Sequence, residues 1–177
     1  MSYVEVLILR HLMRSPAHGY ELRKHVEQDT GITLNNNALY PALRRFEDAG
    51  AVTKTSEQQQ GRPARTVYTL TTVGRELLQD MLIDLPPDQA GDEAEFLSRV
   101  AQFAMLTPDE RGTVLDARAG AVQARADHLR ALSARATGEA WGLRITEELI
   151  RRCDDEIAWL TTLRELAERA PVRPEGE

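Results

Sequence analysis

Cysteine is nearly absent from this 177-residue chain, where Cys153 is the only one. An internal disulfide is therefore excluded, and the composition fits a reducing, cytoplasmic setting. No apolar run approaches the roughly 18 to 20 residues that cross a bilayer, so no membrane span is expected. The opening residues 1–14 carry Glu5 inside their apolar stretch and no small-residue cleavage site, which argues against a signal peptide. Signatures of catalysis are missing too. There is no nucleophile elbow, phosphate-cradling loop, metal cluster or pair of catalytic carboxylates, so an enzyme is not expected. His18, Glu21 and His25 stand at i, i+3 and i+7, but nothing completes a metal site, and no metal or cofactor is assigned.

Net positive charge is lacking as well, since 22 Lys and Arg face 28 Asp and Glu for a net of −6. The deficit is unevenly spread. Residues 1–85 hold ten basic and ten acidic side chains, whereas residues 86–177 hold twelve and eighteen. Within residues 44–75, six basic side chains meet only three acidic ones. Nucleic-acid binding depends on such a local footprint more than on the average charge. This footprint is modest, which calls for two copies to gather enough phosphate contacts. Charged residues make up 28% and hydrophobic ones 42%, an ordinary soluble balance, and the length allows one or two domains.

What the chain does contain is a distinctive stretch over residues 35–70. Asn35, Asn36 or Asn37 suits a helix cap, because a short side-chain oxygen accepts from an orphan backbone donor. Leu39, Ala42, Leu43, Phe46 and Ala49 then recur at helical spacing, and Gly50 is placed to end the helix in a left-handed conformation. Asn37, Tyr40, Arg44 and Arg45 occupy the outward face. Pro41 removes one backbone donor early in this helix, a tolerable strain. Residues 51–56 alternate loosely and 65–70 alternate well, with the polar stretch 57–64 read as the loop between two strands. A helix followed by a hairpin with a basic tip is the winged helix-turn-helix arrangement, in which the helix suits a major groove and the tip follows backbone or minor groove.

The rest of the chain is read as helical. A first helix covers residues 2–14, capped by Ser2 and burying Val4, Leu7, Ile8 and Leu12. Residues 15–19 break it, residues 20–29 form a second helix, and Ile32 to Leu34 is either a short strand or a turn. Thr71 or Thr72 caps a further helix that reaches Leu85. Residues 86–94, rich in turn formers and acids, are read as the linker between a domain at 1–85 and a helical one at 95–170. An apolar helix over 95–106 is followed by a restart in which Thr107 caps and Pro108 takes the first helical position. That helix runs to Ala136 with Leu115, Val122, Leu129 and Ala136 at heptad spacing. The last spans 139–170 with Leu143, Ile150, Cys153, Ile157 and Leu160 along its stripe, and 171–177 is a frayed tail. Two such helices pack as an antiparallel pair whose stripe exceeds what one partner covers, so a homodimer is expected through Leu143, Ile150, Ile157 and Leu160. The fold class is thus mainly α with a small β-hairpin wing.

Over residues 4–80 the chain resembles the PadR-type transcriptional regulators. The resemblance is carried by His18-Gly19-Tyr20-Glu21-Leu22, by residues 38–47 (ALYPALRRFE) with Gly50, by Gly61-Arg62-Pro63-Ala64-Arg65 with residues 67–71 (VYTLT), and by Gly74-Arg75. Several linked motifs in order are more specific than any one alone, and the resemblance accounts for Pro41. It implies a homodimeric, cytoplasmic transcription factor, usually a repressor, on an inverted-repeat operator of double-stranded DNA. In some members a phenolic or other hydrophobic aromatic effector releases the DNA.

Asn36, Asn37, Tyr40 and Arg44 are the expected recognition-helix contacts, since Asn reads adenine bidentately while Arg reads guanine or grips phosphate. Tyr40 suits a phosphate better than a base. Arg62 and Arg65 on the wing meet backbone or minor groove, Lys54 on the first strand is a phosphate ligand, and Tyr20 and His18 sit where helix donors favour a phosphate. Trp141 and Trp159 are the candidate pair for sandwiching a planar effector, against plain packing roles. Cys153 reads as a small buried apolar residue. The competing reading is a winged module that docks another protein, which the neutral first half permits.

Overall fold

The computed structural model describes residues 3–31, 36–59, 62–135 and 140–172, with backbone only at 29–30, 57–59 and 62–64. The expected cap Ser2 and the segment Ile32 to Leu34 lie outside the described residues, as does Ala136. Two compact units form, Met1–Leu82 and Ile83–Glu177.

Unit 1 contains α1 (Tyr3–Arg14), β1 (Ala17–His18), α2 (Gly19–Thr30), α3 (Asn36–Asp48), β2 (Val52–Gln59), β3 (Arg62–Leu70) and α4 (Thr72–Ile83). Its sheet has the order β1-β3-β2 and is antiparallel. The strand β1 was not foreseen. Residues 15–19 read as a plain break, yet Ala17 pairs with Tyr68 and His18 with Val67. The hairpin is also longer than expected, because residues 57–59 and 62–64, read as loop, continue the two strands, with a register irregularity between Glu57 and Gln59. The core is built from Ile8, Leu9 and Leu12 of α1, Leu22 and Val26 of α2, and Leu39, Leu43 and Phe46 of α3, all buried. Removing each such side chain from water contributes about 1.5–3 kcal/mol. Val4 is only half-buried, and Glu5, a residue away from the anticipated stripe, is buried instead.

Helix α3 ends as read. Gly50 adopts φ 70°, its N–H donating to Glu47 O at 2.9 Å, and Ala51 N–H donates to Phe46 O at 2.8 Å. Thr71 then ties the sheet to α4. Its N–H donates to Ala51 O at 3.0 Å, its hydroxyl to Gly50 O at 2.7 Å, and Gly74 N–H donates back to that hydroxyl at 3.1 Å. The tie brings α4 so close that a Cβ on Gly74 would run into the Ala51 carbonyl and the Leu70 Cδ1 methyl.

Unit 2 contains α5 (Pro87–Ala90), α6 (Glu93–Val100), a 3-10 turn (Phe103–Met105), α7 (Pro108–Arg135) and α8 (Ala140–Arg169). Residues 86–94, expected as a linker, are part of this packed unit: they include α5, and Ala90 is buried with its carbonyl accepting from Arg118 Nη1 at 2.9 Å. The division falls a few residues before the boundary read at 85. The apolar helix expected over 95–106 ends at Val100 and gives way to the 3-10 turn, where the Phe103 carbonyl accepts from Leu106 N–H at 3.1 Å and from Arg111 Nε at 2.6 Å. Thr107 caps α7 reciprocally with Glu110: its N–H donates to Glu110 Oε2 at 2.7 Å and its hydroxyl accepts from Glu110 N–H at 3.4 Å.

Helices α7 and α8 run antiparallel, with Arg111 opposite Ala167 and Arg130 opposite Asp154. Val122, Ala126 and Cys153 form a buried cluster against which Leu129 and Ile157 pack. Three arginines are buried in this unit. Arg99 donates to Asp84 O and Glu95, Arg118 to Glu156 Oε1 at 2.7 Å and Ala90 O, and Arg111 to four backbone carbonyls. No helix among the described residues is long and apolar enough to cross a membrane.

Candidate nucleic-acid interface

The amphipathic spacing of α3 decides what it shows to solvent. Leu39, Ala42, Leu43 and Phe46 turn inward, which leaves Asn36, Asn37, Tyr40, Pro41 and Arg44 exposed. Arg45 is exposed as well, but it is not free. It ion-pairs with the buried carboxylate of Glu5 and so braces α3 against α1. Asn36 is likewise engaged, as Arg23 Nη1 donates to its Oδ1 at 3.5 Å while the Arg23 guanidinium lies 5.5 Å from the Tyr20 ring centre.

Tyr40 lies across the start of α2. Its ring and hydroxyl would come within 3.1–3.2 Å of a Cβ at Gly19, so glycine at that position makes room for it. Beside it His18 joins α2 to the wing: its Nδ1 is 3.1 Å from Thr66 O, and its N–H donates to Glu21 Oε2 at 2.9 Å. Tyr68 of β3 stands near the same point. Burial raises its pKa above the ordinary phenol value, with Tyr40 adding to the rise and Lys54 opposing it. These groups, with Tyr20, Lys24, His25 and Arg65, line an open cleft of about 650 Å³.

Lys54 is already paired. Its Nζ donates to Glu47 of α3 at 2.8 Å, and that hydrogen bond, followed by the carboxylate's charge, raises its pKa. Lys24, Arg44 and Arg65 by contrast are exposed and make no ion pair among the described residues. The structure thus brings Tyr20, His18, Tyr40 and Arg65 onto one cleft, with Asn37 and Arg44 on the exposed face of the adjoining helix. Lys54 is bound to Glu47, and the Arg62 side chain lies outside the described residues. Lys24, His25 and Tyr68 were missed. Their signal in the sequence was the helical offset of Lys24 and His25 from Tyr20 and the alternation that sets Tyr68 with Thr66.

In unit 2 the two tryptophans are not neighbours. They lie 18 residues apart on α8, about 27 Å along one helix. Trp141 is 83% exposed, while Trp159 meets Phe96 edge-on at 6.0 Å beside a cleft of about 730 Å³. Among the residues read as dimerising, Leu160 is buried and Ile157 packs on the α7 cluster, so both are used within the chain. Ile150 is half-buried and Leu143 is exposed.

Three helices and a hairpin wing, with α3 facing outward, make up a winged helix-turn-helix domain. Residues 8–80 match the model of the transcriptional regulator PadR-like family. The likeness is confined to this segment, which covers most of the first unit, and the family described is one of transcriptional regulators. Among curated proteins it is 34% identical over 106 residues to an uncharacterized 37.1 kDa protein of a Streptomyces fradiae transposon, across 60% of this chain and 27% of that one. It is 25% identical over 112 residues to the negative transcriptional regulator PadR of Bacillus subtilis, across 62% of each. The chain therefore spans about a quarter and three fifths of these two relatives. Among solved structures, Bacillus subtilis PadR in complex with operator DNA aligns at 20% identity and a TM-score of 0.46, over 94% of this chain and 98% of that one. A transcriptional regulator of Thermoplasma acidophilum aligns at 32% identity and a TM-score of 0.41, over 44% and 74%.

Proposed function

We propose that the protein is a homodimeric repressor whose two winged domains bind an inverted-repeat operator in double-stranded DNA. The observation that carries this reading is the sorting of charge. Arg45 and Lys54 are spent on Glu5 and Glu47, while Lys24, Arg44 and Arg65 make no ion pair among the described residues. Unpaired cations beside an exposed helix suit phosphates, and Asn37 and Arg44 suit base edges. The Bacillus subtilis relative is a negative regulator whose solved structure includes operator DNA, in keeping with this assignment.

Dimerisation is supported by what unit 2 leaves uncovered. Trp141, Ile145 and Leu166 are 83%, 62% and 61% exposed along α8, and a second copy packed on this helix would cover them. We expect sedimentation at twice the chain mass at micromolar concentration, and a monomer there would remove the basis for two-fold recognition. The cleft beside Trp159 is the place we assign to a small aromatic effector, and Trp141 is left to the uncovered surface.

A mobility-shift assay with DNA from upstream of its own gene tests the reading. Log affinity should fall against log salt by roughly 0.9 for each phosphate neutralised. Replacing Arg44 and Arg65 together by alanine should flatten that slope by about two and weaken binding at least tenfold. Adding a phenolic acid should release the duplex from the wild type but not from a Trp159→Ala variant. Binding indifferent to the double substitution would favour a module that docks protein through this face.

A further inference from the structure

We infer that the cleft at the start of α2 seats the sugar–phosphate backbone and takes up protons as it does so, through His18 and His25. The inference rests on the DNA-binding reading and adds a proton to it. Two imidazoles line the same 650 Å³ cleft as Lys24 and Arg65. His18 is held through Nδ1 against Thr66 O at 3.1 Å, which leaves its Nε2 for a ligand. His25 is stacked on His11 of α1, ring centres 5.3 Å apart.

The groups around these rings set the sign. From α2 come Lys24 and Glu21, whose carboxylate accepts the His18 N–H. From α3 comes Tyr40, and from β3 come Arg65, Thr66 and Tyr68. A phosphate diester seated in this cleft between Lys24 and Arg65 brings negative charge to the two imidazoles that line it and favours imidazolium. Its own charge does not change between pH 6 and 8, so the protons belong to the protein. The imidazole values therefore rise on binding, and affinity rises as pH falls from 8 to 6.

The test uses the full chain and a duplex from upstream of its own gene, at fixed ionic strength. Fluorescence anisotropy at pH 8 and pH 6 should show affinity rising as pH falls, by at most about tenfold per pH unit for each proton taken up on binding. Replacing both residues, His18→Gln and His25→Gln, should flatten this dependence. A second measurement needs no variant: the imidazole Cε1–H signals of His18 and His25 should titrate at higher pH in the complex than in the free protein. Binding with a flat pH profile, or with unmoved imidazole midpoints, overturns the inference while leaving the DNA reading intact. Failure to bind at every pH overturns both.

Discussion

Replacing Arg111 by alanine should cost unit 2 about 3–5 kcal/mol, among the largest effects of any single substitution in this chain. Arg111 is 0% exposed and pairs with no carboxylate among the described residues. Its guanidinium instead donates to Phe103 O, to Ala167 O and Ala170 O at 2.7 Å, and to Pro171 O at 3.2 Å. Three of those carbonyls are at or just beyond the end of α8, where unsatisfied oxygens and the helix dipole concentrate negative charge. A buried cation is stable there because the helix end serves as its counter-charge. Alanine would leave the carbonyls without donors and open a cavity where the side chain lay. Both tryptophans, Trp141 and Trp159, are in α8, so denaturant unfolding followed by tryptophan emission reads this unit alone. A loss under about 1 kcal/mol would show that water replaces the guanidinium without penalty. Lysine, which keeps the charge but not the planar fork, should recover only part of the loss.

Gly74→Ala should destabilise unit 1 by about 3 kcal/mol or more, although helix propensity alone argues the opposite sign. Inside a helix alanine is favoured over glycine by about 1 kcal/mol. At Gly74 that gain is overridden by the backbone carbonyl of Ala51 and by Leu70 Cδ1, 2.5 Å from where the methyl would sit. A backbone oxygen cannot rotate away, so relief needs α4 to move off the sheet and break the Thr71 bonds that hold it. All four tyrosines, Tyr3, Tyr20, Tyr40 and Tyr68, belong to unit 1, and near-ultraviolet circular dichroism at tyrosine wavelengths follows its melting while the tryptophan bands follow unit 2. A midpoint that is unchanged or raised would mean that α4 shifts freely.

Local chemistry made much of this legible in the sequence. The spacing of Leu39, Ala42, Leu43 and Phe46 set the face of α3, Gly50 marked its end, and Thr107 with Glu110 marked the start of α7. Such features depend on neighbours within one turn. Partners far along the chain were not legible. A two-residue strand has no alternation to detect, and Ala17–His18 becomes β1 only because β3 arrives beside it. Nothing in the sequence marks Arg99, Arg111 and Arg118 for burial, since arginine is seldom buried, and only the folded unit reveals the carbonyls and carboxylates that receive them. Proline, glycine and acids at 86–92 carry the composition of a linker, yet the Arg118 bond to Ala90 O makes that segment part of a core. At the candidate site, residue type pointed to Tyr40, Arg44 and Arg65. It did not show that Lys54 would be claimed by Glu47 or Arg45 by Glu5.

β1 pairs with the root of β3 and His18 lies against Thr66, so the base of the wing is tied to the start of α2. The distance from that base to the reading helix is then set by the protein. A duplex that fits it poorly must itself twist or bend to make up the difference, so sequences that deform easily gain an advantage at base pairs no side chain touches.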